Sequence, residues 1–281
     1  MDWKQNEPLI DLALAEDLGS GDVTIEALIS PDLQASASIM AKDSGILAGI
    51  EVAGLIFHRV DSSLKFEAFI SDGNRIEPGD VIAGIDGNVA GILKAERTAL
   101  NFLQRLSGIA SETRRYIEAV KGLNVRIIDT RKTTPGLRLL EKYAVRAGGG
   151  HNHRFSLGDQ VLIKDNHLAI LHSQRTSLKE AIAMAKQKAP SDLKVEVEVK
   201  NAEEAGQAAD TGVDIIMLDN MSLAEMSRAV ELIGGRASVE ASGGITLDNV
   251  RQVAETGVDL ISIGALTHSV KALDISLELE D

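Results

Sequence analysis

The stretch Lys194-Val195-Glu196-Val197-Glu198-Val199 governs how the rest of the chain is read. Its strict alternation puts Val195, Val197 and Val199 on one face of a strand and both glutamates on the other. In a barrel ringed by helices, the valines face the helices and the glutamates face the interior. Buried carboxylates are costly unless they are paired or bind a cation.

Outward from this strand the pattern repeats. Short Val/Ile/Leu-rich runs occur at Val125–Asp129, Gln160–Lys164, Val213–Asp219, Ser238–Ser242 and Val258–Gly264. Between them lie Ala/Glu/Lys/Gln-rich stretches of helical periodicity at 138–147, 177–189, 201–211, 222–233 and 246–256. Strands alternating with helices mean βαβ units on a parallel sheet. This predicts a barrel or an open doubly wound sheet, and in either the ligand sits at the carboxyl ends of the strands. Residues 1–107 read instead as an α+β domain, with a helix over Pro8–Asp17 and short antiparallel strands over Ala35–Ala41, Lys65–Ile70 and Val81–Val89. A long helix over Lys94–Val120 leads into the barrel. The tail, 266–281, is expected to be helical and to pack back on the N-terminal domain.

Composition excludes several function classes. The chain has 281 residues, one large domain or two unequal ones at roughly 150 residues per domain. No apolar run approaches the ~18 residues of a membrane span, and the polar N-terminus lacks a signal-peptide core. There is no cysteine, hence no disulfide, thiolate metal site or Cys nucleophile, in keeping with a reducing cytoplasm. Aromatics make up 3%, too few for base-stacking platforms. The net charge of −13 argues against a polyanionic partner. The charge is uneven, however. Residues 126–172 hold eight Lys/Arg against four Asp/Glu, with four of the six histidines. A basic island in an acidic protein reads as a pocket for a small anion or as a solvated basic face.

The candidate site residues close the predicted strands. Asp129-Thr130-Arg131-Lys132 offers a guanidinium fork for a carboxylate and a point charge for phosphate. Gly148-Gly149-Gly150-His151-Asn152-His153-Arg154 has glycines that let backbone approach a ligand, then donors in His153 and Arg154. Two histidines at i, i+2 could also serve a metal. Lys164 ends another strand, either as an anion-binding charge or as a Schiff-base nucleophile. Glu198 and Asp219 make a hard-cation site for Mg²⁺, directly or through water, or else a network with Lys132 or Lys164. Ser242-Gly243-Gly244 and Gly264-Ala265 end the last two strands, where many α/β barrels bind phosphate. Arg97, on the long helix, reads on its own as an ordinary surface partner.

These motifs, in this order, resemble the quinolinate phosphoribosyltransferases, the type II phosphoribosyltransferases of NAD biosynthesis. The likeness is strongest over 129–136, 143–154, 162–167, 196–199, 218–220, 240–245 and 262–269. The resemblance implies an N-terminal α/β sandwich domain, 1–107 with 266–281 returning to it, and an incomplete barrel of six to seven parallel strands, 108–265. It implies conversion of quinolinate and phosphoribosyl pyrophosphate to nicotinate mononucleotide, pyrophosphate and CO₂, with Mg²⁺. It implies a cytoplasmic homodimer, or a hexamer, with shared active sites and no nucleic-acid or membrane partner. Arg131, Lys132, His153, Arg154 and Lys164 would hold the dianion, and Arg97 would join them from a neighbouring subunit. Ser242–Gly244 with Gly264 and Ala265 would hold the ribose phosphate. Lys132, Lys164, Glu198 and Asp219 would carry the chemistry. The alternatives are a sibling phosphoribosyltransferase of molybdate operons with another substrate, a Schiff-base aldolase on Lys164, and a non-catalytic anion binder.

Overall fold

The computed structural model describes residues 3–280; Met1, Asp2 and the tail's last residue, Asp281, lie outside the described residues. A 3₁₀ turn leads into α1 (Glu7–Leu18), then α2 (Val23–Leu28), β1 (Gln34–Ala41), β2 (Gly45–Ile46), α3 (Ile50–Val60), β3 (Lys65–Ala68), β4 (Arg75–Ile76), β5 (Val81–Asn88) and the long α4 (Val89–Ala119). There follow β6 (Arg126–Ile128), α5 (Arg138–Ala147), β7 (Val161–Ile163), α6 (Asp165–Ser173), α7 (Leu178–Lys188), β8 (Val195–Val199), α8 (Ala202–Ala209) and β9 (Ile215–Asp219). The chain ends with α9 (Leu223–Ile233), β10 (Ser238–Ser242), α10 (Val250–Glu255), β11 (Leu260–Ser262), α11 (Ala265–His268) and β12 (Ile275–Leu279). Two compact units result: one holds the chain up to Arg114, 134–149 and 269 onward; the other holds 115–133 and 150–268.

The first unit is built on an antiparallel sheet of order β12-β1-β5-β3. Helices α2 and α3 add to it, where the sequence reading expected only strands after α1. Asp22 starts α2 by accepting the amides of Thr24 and Ile25, the usual way to satisfy first-turn N–H groups. Asp72 does the same for α3 through Gly49 and Ile50, and also accepts the Tyr143 hydroxyl at 2.5 Å. Phe57 of α3, fully buried, stacks on Phe66 of β3. The tail is not the expected helix. Ile275-Ser276-Leu277-Glu278-Leu279 pairs antiparallel with β1, Ala41 opposite Ile275 through Ala37 opposite Leu279. An alternating segment beside an open strand edge satisfies its backbone there at no cost in buried polar groups.

The second unit is an incomplete α/β barrel. Its six parallel strands run β6-β11-β10-β9-β8-β7, so the first and second in sequence lie at opposite ends of the order. His151 makes one further parallel bridge to Ile128 on the free edge of β6, a one-residue seventh stave. The six-to-seven-strand expectation fits this arrangement. All five residues of β8 are buried, because a barrel strand has helices on one side and a packed interior on the other.

Candidate active site

The carboxyl ends of the parallel strands surround a cavity of about 460 Å³. Arg131, Lys132, His153, Arg154, Lys164, Glu198, Asp219 and Ser242 all line it, together with Glu240 and Ser262. Gly243, Gly244, Gly264 and Ala265 follow these residues on the β10 and β11 ends without being on the lining. Arg97 is not on it either. Its side chain, 57% exposed, projects from α4 into a separate cleft with Asp17, Asp22 and Lys94.

The cationic part of the lining is set by the segment after β6. Asp129, fully buried, accepts the His153 amide (2.8 Å) and the Asn152 side chain (2.5 Å). This ties the 151–154 strand remnant to β6. Thr130 Oγ1 accepts the Lys132 amide, and the Lys132 carbonyl accepts the Thr267 hydroxyl at 2.8 Å. Arg131 Nε is buried with no hydrogen-bond partner, an expensive condition for a charged donor unless a ligand completes it. Arg154 donates to the Gln160 carbonyl at 3.0 Å. Burial, and then the neighbouring Arg131 charge, push its guanidinium below the ordinary range. Two crowded guanidiniums form a potential well that a dianion discharges.

Of the glycines expected to admit a ligand, Gly148 has another task. A Cβ there would lie 2.4 Å from the Ala110 carbonyl oxygen and 2.7 Å from Thr113, so it allows α4 to pass close by. His153 also differs from expectation. Its Nδ1 accepts the Arg154 amide at 2.7 Å, which assigns the ring proton to Nε2. That nitrogen faces Glu196 (3.2 Å) and Glu240 (3.6 Å). These three are the group of metal-ligating side chains found among the described residues, but a protonated Nε2 is no metal ligand. His153 and Glu240 line the cavity, and Gln160 donates to the adjoining Glu196 at 2.6 Å.

Glu196 and Glu240 are both fully buried. Burial first, and then the Glu196 charge, hold Glu240 well above its ordinary value of 4.5. Burial beside Glu196 thus disfavours the charged form of Glu240. A carboxyl raised on folding contributes its full stability below the unfolded value and loses it as pH climbs towards the folded one. Glu240→Gln keeps a neutral donor and removes the titration. The Tm difference, variant minus parent, is therefore expected to grow more positive as the buffer moves upward from about pH 4.5 to pH 8. A difference flat with pH would show that Glu240 is not kept protonated.

Glu198 and Asp219 put acidic groups on the same lining. Glu198, nearly buried, has Lys164 Nζ at 3.9 Å. Its carboxyl is raised by burial and by the Asp219 charge, while Lys164 opposes the shift. The Lys164 side chain is half exposed, so it lacks the desolvated setting of a Schiff-base lysine. Gly264 lies against Lys132 and His268: a Cβ there would fall 3.0 Å from the Lys132 side chain and 3.1 Å from the His268 ring.

Sequence reading gave Glu240, Asn220 and His268 no role of their own, although Glu240 and Asn220 stand in the strand-end motifs. Glu240 carried a signal, since it sits on β10 opposite Met217 of β9, the residue also opposite Glu198. His268 reaches Gly264 through the single turn of α11, where its amide donates to the Gly264 carbonyl at 3.1 Å.

Comparison with known proteins finds relatives along nearly the whole chain. Residues 22–107 match the family model described as quinolinate phosphoribosyl transferase, N-terminal domain. Residues 109–278 match that of the C-terminal domain. A Bacillus subtilis protein named probable nicotinate-nucleotide pyrophosphorylase [carboxylating] is 42% identical over 99% of this chain and 95% of its own length. A Nicotiana tabacum protein named quinolinate phosphoribosyltransferase [decarboxylating] 2b, mitochondrial, is 44% identical over 97% of this chain and 81% of its own. The crystal structure of NadC from Streptococcus pyogenes superposes with a TM-score of 0.95 and 44% identity, covering 100% of this chain and 99% of that one.

Proposed function

The chain belongs to the quinolinate phosphoribosyltransferase family, and we propose that its barrel cavity is where quinolinate and phosphoribosyl pyrophosphate meet. The enzyme is a decarboxylating pentosyltransferase of NAD biosynthesis, yielding nicotinate mononucleotide, pyrophosphate and CO₂. The observation that carries the assignment to this cavity is the convergence of Arg131, Lys132, Arg154 and Lys164 on one lining with Glu198 and Asp219.

Arg131 and Arg154 bind the two carboxylates of quinolinate; the unpartnered Arg131 Nε is a ready donor. His153, tethered at both ring nitrogens, orients Arg154 and lines the cavity. Ser242, Gly243, Gly244, Gly264 and Ala265 hold the ribose phosphate. Glu198 and Asp219 hold the ribose hydroxyls. The pyridine nitrogen attacks the anomeric carbon as the bond to pyrophosphate breaks. Orientation and electrostatic stabilisation of the separating charges do the work, and no covalent nucleophile is required. Loss of the 2-carboxylate follows ribosylation: its C–C electron pair passes towards the cationic ring, and the carbon then takes up a proton with Lys132 as the assisting cation.

Glu198 and Asp219 fit Mg²⁺ by their chemistry. They are hard oxygen donors whose mutual repulsion raises Glu198, and Lys164 opposes it from 3.9 Å. They would hold the ion directly or through water, and it would neutralise the pyrophosphate leaving group. We also place Arg97 of one subunit in the site of another within a homodimer or hexamer, and the reaction in the cytoplasm. No helix among the described residues is long and apolar enough to cross a membrane.

The test is a product assay with quinolinate labelled in its 2-carboxylate, beside nicotinate and nicotinamide, each with phosphoribosyl pyrophosphate and Mg²⁺. Quinolinate alone is expected to release labelled CO₂ and form the mononucleotide. Chelation is expected to stop turnover and Mg²⁺ to restore it. Turnover of nicotinate with none of quinolinate would assign a different pyridine. Full activity in chelator would remove the metal from the scheme.

A further inference from the structure

Asn220 is not among the residues that bind either substrate in this reading, yet its geometry is unusual. Its φ is +53°, one of two positive values among the described non-glycine residues. Asparagine tolerates the left-handed region better than most residues, but the conformation is adopted for a reason. Three contacts supply one. The backbone N–H donates to the Ser242 carbonyl at 2.9 Å, continuing the β9–β10 pairing past the strand end. The side-chain Nδ2 donates to Asp219 Oδ2 at 3.0 Å. The carboxamide also fills the space where Gly243 would carry a side chain: a Cβ on Gly243 would lie 2.2 Å from Asn220 Oδ1. Gly243 itself has φ +91°. One residue thus braces Asp219 on β9 and the Ser242-Gly243 turn on β10.

We propose that Asn220 is a positioning residue for phosphoribosyl pyrophosphate, fixing the distance between the Asp219 carboxylate and the Ser242–Gly244 turn. The inference rests on the assignment of those two elements to the sugar phosphate. The donor on Oδ2 leaves Oδ1 of Asp219 to face the ribose and its cation, in one orientation. The amide packed at Gly243 holds the turn that receives the phosphate at the other end of the same ligand. Quinolinate, bound on Arg131 and Arg154, is outside this brace.

Two variants separate the parts. Asn220→Gly keeps the left-handed backbone at no steric cost and deletes the amide. Asn220→Asp keeps the shape and removes the donor. Steady-state kinetics with each substrate varied in turn is the readout, with Tm measured alongside. For both variants KM for phosphoribosyl pyrophosphate is expected to rise about tenfold or more, the scale of one hydrogen bond to a charged group. KM for quinolinate is expected to stay within about twofold of the parent. Equal rises for both substrates, or a fall in Tm with unchanged KM, would make Asn220 merely structural. An unchanged phosphoribosyl pyrophosphate KM in Asn220→Asp alone would overturn the donor role. Should the unaltered enzyme show no phosphoribosyl pyrophosphate-dependent CO₂ release from quinolinate, the underlying assignment fails, not the brace.

Discussion

Arg131→Ala is expected to lower kcat/KM for quinolinate by about a thousandfold. Removing one partner of a buried, charge-assisted pair costs about 2–5 kcal/mol, and 4 kcal/mol is roughly a factor of 10³ in rate. The upper part of that range applies because Arg131 Nε is buried with no internal partner. That donor gains a partner when a carboxylate arrives. Arg154 is relieved of a neighbouring charge in the variant, but it cannot grip two carboxylates. Arg131→Lys restores the charge without the fork, so it should recover only part of the loss. KM for phosphoribosyl pyrophosphate should change far less than that for quinolinate. A value of kcat/KM for quinolinate within tenfold of the parent would move the dianion away from Arg131.

Mixing two inactive variants should restore activity. Arg97→Ala and Lys164→Ala are each expected to be nearly inactive, for different reasons. Lys164 lies on the cavity of its own barrel, with Glu198 at 3.9 Å. Arg97 lies outside that lining. If Arg97 completes a second copy's site, a hybrid dimer carries one site with both defects and one with neither. Random exchange at equal amounts makes half of the dimers hybrids, so about one quarter of the parental activity should return. Mass-resolved confirmation of exchange with no recovered turnover would place Arg97 outside the catalytic assembly.

Local pattern alone determined much of this protein. The bounds of β10, Ser238–Ser242, and of α5, Arg138–Ala147, were readable to the residue. So was the inward direction of Glu196 and Glu198, because a period of two leaves no other face for them. That Arg131, Lys164, Glu198, Asp219 and Ser242 share one cavity lining was readable too, since a parallel barrel gathers its carboxyl ends whatever its loops do. Three matters were decided only by tertiary structure. The tail became a strand because β1 offered it an edge; its own five-residue alternation was too short to outweigh a helical reading. Gly148 serves helix packing rather than a ligand, a role set by Ala110 and Thr113 far away in sequence. His153 is turned down to Glu196 and Glu240 by an amide one residue on and two carboxylates from other strands. Sequence periodicity fixes which face a side chain takes, because that is a property of one strand or helix. Which groups meet it there depends on distant segments arriving at the same place, and nothing local in the chain records that.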